Sequence, residues 1–115
     1  VEFLRGSPDA AKALKSIKPE NLAISAVTRM ELLVGAWNKA ELRKIEKSLD
    51  AIQEISISED ISAKAVDLIR NYAKSHSLKI PDAIIAATAL DQSVHLFTYN
   101  IRDFKFIKGL RLYSL

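Results

Sequence analysis

None of the 115 residues is a cysteine. That excludes disulfides, zinc–thiolate sites and thiol nucleophiles, and it permits a cytoplasmic setting. With only three glycines, the chain has no glycine-rich phosphate loop, and no GxSxG nucleophile turn occurs. The two histidines, His76 and His95, are unrelated in spacing, and His95 lies inside an apolar stretch that suits a core or cross-strand role. No apolar run approaches a membrane span, and no basic head followed by an apolar stretch marks a signal peptide. A cytoplasmic protein without membrane contact is therefore expected. Repeats, low-complexity tracts and linkers are also missing.

What is present describes a globular chain: 49% hydrophobic and 27% charged residues, enough for one sizeable core. The formal net charge of +3 agrees with a polyanionic partner, although solubility alone accounts for such a value.

Along the chain, "GSPDAAKALKSI" (6–17) reads as a helix with Pro8 near its start, and "NLAIS" (21–25) as a short strand. "AVTRMELLVGAW" (26–37) carries Val27, Met30, Leu33, Val34 and Trp37 at helical spacing behind Ser25 as N-cap. "KAELRKIEKSLDAI" (39–52) repeats the pattern through Leu42, Ile45 and Leu49. "EISI" (54–57) is a strand, and residues 58–76 form a long helix capped near Ser58. A further helix starts at Pro81, a strand covers "SVHLFTY" (93–99), and "IRDFKFI" (101–107) is a turn or short helix. "LRLYSL" (110–115) closes the chain as a strand. Strands alternating with helices predict an α/β fold, with a largely parallel sheet between helices.

Three acids sit badly for surface residues. Asp82 opens "DAIIAATAL", a helix with no polar face beyond Thr88, so its carboxylate lies at the rim of the core. A plain dipole-complementing role is the alternative for this residue. Glu31 has Val27, Val34 and Gly35 as helical neighbours, and a half-buried Glu needs a partner. Gly35 weakens that helix and fits a close approach beside Glu31; a helix-edge ion pair is the alternative. Asp103 lies in "TYNIRDF", at the C-terminal end of a strand, where open α/β sheets bind ligands. There Thr98, Asn100 and Asp103 equally shape a turn.

A parallel sheet would bring the acids to one edge, where clustered carboxylates repel unless a cation sits among them. Oxygen donors alone select a hard cation, Mg²⁺ or Mn²⁺, and such a site serves phosphoryl chemistry. Arg29, Lys79, Arg102, Lys105 and Lys108 lie close in sequence to these acids and suit a nucleic-acid backbone; solvated surface charge is the bland reading.

"VEFLRGS", "SAVTRMELLVGA", "IPDAIIAATAL" and "LFTYNIRDF" resemble, in this order, the PIN-domain ribonucleases, in particular the VapC toxins of prokaryotic toxin–antitoxin pairs. The resemblance implies an α/β/α sandwich around a mainly parallel sheet, residues 1–115 being a single PIN-like domain. It further implies a homodimer that cuts RNA with Mg²⁺ or Mn²⁺ through a metal-activated water, and a VapB-like antitoxin partner that blocks the site. Carried over, Glu31, Asp82 and Asp103 are the catalytic and metal-binding acids. Thr98 matches a hydroxyl position near this site; Asn100, with Arg29 and Arg102 from their nearness in sequence to the acids, joins it as an expected substrate-binding residue. Asn100 stands at a position that is acidic in the full motif, which shifts the charged role to Asp103.

The family also carries an Asp on a first strand ahead of the segment resembling "VEFLRG". This chain is expected to lack that central strand, with Glu2 on the helix that follows it. An inert PIN-like module that binds RNA or an antitoxin-like protein is the competing reading. Leu33, Trp37 and Leu42 are the residues expected at a dimer face or in the core.

Overall fold

The computed structural model describes residues 2–4, 22–98 and 100–113, with residues 2–4 as backbone only. Five parallel strands form one sheet: β1 (Glu2–Leu4), β2 (Leu22–Ser25), β3 (Gln53–Ile55), β4 (His95–Phe97) and β5 (Leu112–Tyr113). Their order is β3-β2-β1-β4-β5. Glu2 is in register with Leu22 on one side and His95 on the other, and Leu4 with Phe97. The expectation for the N-terminus is thus corrected. Glu2 belongs to a strand and not to a helix, and Glu2–Leu4 occupies the central place that was expected to be empty. Phe3 and Leu4 suit an extended, doubly paired backbone as well as they suit a helix, and two neighbouring strands supply the pairing. The helix expected over 6–17 lies outside the described residues.

Four α-helices are described: α1 (Ala26–Val34), α2 (Lys39–Leu49), α3 (Glu59–His76) and α4 (Ile80–Gln92). Each of the first three starts where a side chain satisfies an otherwise orphaned amide. Ser25 Oγ accepts from Thr28 N–H at 3.1 Å, Asn38 Oδ1 from Glu41 N–H at 2.9 Å, and Ser58 Oγ from Ile61 N–H at 3.1 Å. For α4 there is no side-chain cap, and Pro81 sits in its first turn, where a missing N–H costs nothing. Gly35 is the C-cap of α1 in ordinary right-handed geometry, its N–H donating to the carbonyls of Glu31 and Leu33. It ends the helix and does not interrupt it, so no close approach beside Glu31 is needed to explain it.

The core lies between α3, α4 and the sheet. Ala83, Ile85, Ala86, Ala87 and Ala89 of α4 are buried together with Ile61, Ala65 and Leu68 of α3 and Leu96 of β4. Small alanines let α4 pack closely against its neighbours. A second cluster (Leu22, Ile24, Leu32, Leu49, Ile52 and Phe97) fills the space on the β2 side. Of the apolar stripe on α1, Val27 is buried, but Val34 and Trp37 are 86% and 88% exposed. Leu33 and Leu42 are half-buried. No described helix is long and apolar enough to cross a membrane.

Candidate functional site

β1 lies between β2 and β4: the chain runs from β1 through β2 to β3 on one side and then crosses back to β4 and β5 on the other. In a parallel sheet such a reversal opens a crevice at the carboxyl ends of the strands. Two segments reach this end. The first follows β4: Thr98 is buried, and its Oγ1 accepts from Asn100 N–H at 2.9 Å. Asn100 O then accepts from Asp103 N–H at 3.0 Å, closing a 3₁₀ turn over Ile101–Asp103. Phe104, with no exposed surface, pins the turn to the core and leaves Asp103 in solvent.

The second segment is the head of α4. Its three-residue link to α3 turns at Ser77, which holds a left-handed backbone (φ 57°). Leu78 is buried beyond it. Asp82 follows in the first turn of α4 and is 8% exposed. It stands at the end of the helix where the dipole is positive.

The two segments meet in a cleft of about 190 Å³ lined by His76, Ser77, Leu78, Lys79, Asp82, Arg102 and Asp103. Two carboxylates on one wall system, beside two basic side chains, can hold a cation and a phosphate together. An adjoining hollow is lined by Asn100, Ile101, Arg102 and Asp103. Asp103 and Arg102 border both spaces, whereas Asn100 borders only the second.

Glu31 does not line the cleft. It sits half-buried on α1, which packs against α4, and one of its carboxylate oxygens is fully buried. Among the described residues no group of three or more His, Cys, Asp and Glu side chains is close enough to hold a metal ion. Arg29 pairs with Glu54 of β3, which ties its guanidinium to the β2–β3 side of the sheet. Lys79, which the sequence offers as a residue suited to a nucleic-acid backbone, and His76, which its spacing does not single out, complete the cleft. Their signal is proximity in sequence: both lie within six residues of Asp82, across a tight interhelical link.

The PIN domain pattern matches residues 1–110. The chain is 35% identical over 114 residues to Ribonuclease VapC19 of Mycobacterium tuberculosis, covering 96% of this chain and 90% of that protein. Ribonuclease VapC10 of the same organism is 34% identical over 113 residues, at 96% and 84% coverage. Among solved structures, a toxin–antitoxin complex from Klebsiella pneumoniae matches with a TM-score of 0.76 and 32% identity over 100% of both chains. The DNA-bound VapBC of Salmonella typhimurium matches in fold, with a TM-score of 0.83 at 20% identity, covering 97% of this chain and 96% of that one. With a buried acid at the head of an apolar helix, a second acid after β4 and these matches along its length, the chain belongs to the PIN-domain family.

Proposed function

We propose that the chain is a metal-dependent endoribonuclease, the cytoplasmic toxin component of a toxin–antitoxin pair. The observation that carries this reading is the shared cleft of Asp82 and Asp103, with Lys79 and Arg102 on its walls. Relatives named ribonucleases, matched over most of their own length, support the reaction class.

Asp82 and Asp103 are the acids of the cleft that would hold Mg²⁺ or Mn²⁺, with Glu31 standing outside it on α1. They offer oxygen donors only, as a hard cation requires. Such an ion, when bound, neutralises phosphate charge and makes hydroxide available at neutral pH. The protein's own part is positioning. The buried α4 fixes Asp82, Phe104 fixes the turn that carries Asp103, and Lys79 and Arg102 hold phosphate oxygens by charge-assisted hydrogen bonds. Thr98 acts one step back, by shaping the turn through Asn100 N–H. Asn100 and Arg102 extend the contact surface into the adjoining hollow.

Two apolar surfaces support protein partners. Met30, Val34 and Trp37 are exposed along and just beyond α1 and suit the apolar face of a VapB-like antitoxin segment. Ile57, Val66 and Ile80 are exposed around an apolar groove of about 380 Å³ between α3 and α4, which suits a second copy of the chain.

An inert binding module is the competing reading, favoured by the two-acid lining of the cleft. Purified protein, stripped of antitoxin, is to be incubated with RNA in Mn²⁺ or Mg²⁺, and Mn²⁺ binding measured by calorimetry. Cleavage that stops with chelator and returns with metal supports the nuclease. Intact RNA with no metal binding supports the module.

A further inference from the structure

His76 is an unusual surface residue. It ends α3 and is exposed, yet its ring is held from two directions. Its Nδ1 and Ser75 Oγ share a hydrogen bond of 2.8 Å. One face stacks on Phe106, with centroids 4.3 Å apart and planes 13° from parallel. Tyr72 approaches edge-on at 5.8 Å and also touches Phe106 at 5.2 Å. These three separations place Tyr72 and Phe106 within an acute angle as seen from His76. Tyr72 is itself anchored, its Oη accepting from Lys108 N–H at 3.2 Å. His76 is exposed and lines the cleft shared by Asp82, Asp103, Lys79 and Arg102.

A flat, exposed ring, oriented by a stack on one neighbour beside a cleft suited to phosphate, is what single-stranded RNA recognition uses to hold an unstacked base. We propose that His76 is a base-stacking residue. A nucleobase of the RNA, flanking the phosphate held in the cleft, lies on the face of the ring opposite Phe106 and continues the Phe106–His76 stack. This inference rests on the ribonuclease reading and adds to it a residue that holds substrate. A stacking contact has no edge code, so His76 contributes affinity for any base, purines most strongly. The backbone charges of Lys79 and Arg102 set the position along the strand.

The test is steady-state cleavage of a short fluorogenic RNA by the full chain, with binding measured separately in the Asp82→Asn background. His76→Leu removes aromaticity at similar bulk, His76→Phe keeps the ring, and His76→Gln keeps a polar edge. Expected is a rise in KM and Kd of about tenfold for His76→Leu, with kcat nearly unchanged, and recovery in His76→Phe but not in His76→Gln. An abasic substitution at the flanking nucleotide should weaken wild-type binding and leave His76→Leu unaffected.

Unchanged KM in His76→Leu, while Asp82→Asn abolishes cleavage, would overturn the stacking role and leave the ribonuclease intact. Recovery by Gln but not Phe would overturn it in favour of a hydrogen bond. If His76→Leu weakened only the binding of an antitoxin-derived peptide, the surface would be a protein contact and the proposal would fail. A wild-type protein that neither binds nor cleaves RNA would end both readings together.

Discussion

Asp82 gains its character from what stands behind it. Every residue from Ala83 to Ala89 except Ile84 is buried, so the first turn of α4 cannot shift without opening the core. Phe104 plays the same part for Asp103, one residue away and without exposed surface. Replacing Phe104 by Ala should cost about 3–5 kcal/mol of stability, the range for a buried aromatic. Cleavage by the fraction that remains folded should also fall, because the turn loses its anchor. Urea unfolding together with activity per folded molecule measures both effects. At this scale the sequence was informative where burial and charge conflict. Asp82 stands out because an ionisable group opens an apolar run, and Glu31 because its helical neighbours are apolar. His76 was not legible, since its place in the cleft comes from the tight turn at Ser77 that folds the end of α3 onto the head of α4. Arg29 was equally opaque: its pairing with Glu54 spans 25 residues and depends on β2 and β3 lying side by side.

Elements were easier to read than contacts, because their ends are chemical. Ser25 and Ser58 announce α1 and α3 as N-caps, and Pro81 announces α4. Ser58→Ala should destabilise the protein by about 1 kcal/mol, seen as a lower urea midpoint at constant slope. Strand β1 was the exception. Three residues give no period from which to tell strand from helix, and only the two partners on either side decide the outcome. Packing of α3 on α4 is reinforced at its edge by Lys64 Nζ and Asp91 Oδ1 at 3.1 Å. The Lys64 ammonium, and then the Gln92 amide, hold the Asp91 carboxyl below its usual value. A lowered carboxylate pKa means that the unfolded chain takes up the proton first. The contribution is therefore full above the ordinary aspartate value of about 3.9 and is lost as pH falls through the lower folded value. Because the pair is exposed, the effect is small. Thermal melts of wild type and Asp91→Asn should differ slightly at neutral pH and converge in acid; a gap that widens in acid would reverse the sign.

As a whole molecule, the protein is a parallel sheet whose strand order reverses at β1, with a cleft between the turn after β4 and the head of α4. The parallel sheet followed from alternating strands and helices. The strand order did not, since nothing local in the sequence says which strands are neighbours. The two apolar surfaces were legible only in part. The stripe on α1 reads as core or dimer face, and Val34, at the helix's last position, and Trp37, beyond it, are exposed. Ile57, Val66 and Ile80 come together only through the packing of α3 on α4. If they join two copies, Val66→Glu with Ile80→Glu should convert a dimer to a monomer in sedimentation velocity, with the helical spectrum unchanged. In this proposed reaction Asp82 and Asp103 act as one unit within a single cleft. Cleavage rates of Asp82→Asn, Asp103→Asn and the double variant are to be compared in saturating Mn²⁺ and at equal folded fraction. Either single change should lower the rate by about 10²–10³-fold, and the double variant should be hardly slower than the worse single one. Two independent, multiplying losses, or full activity in either single variant, would mean that the two acids do not work together.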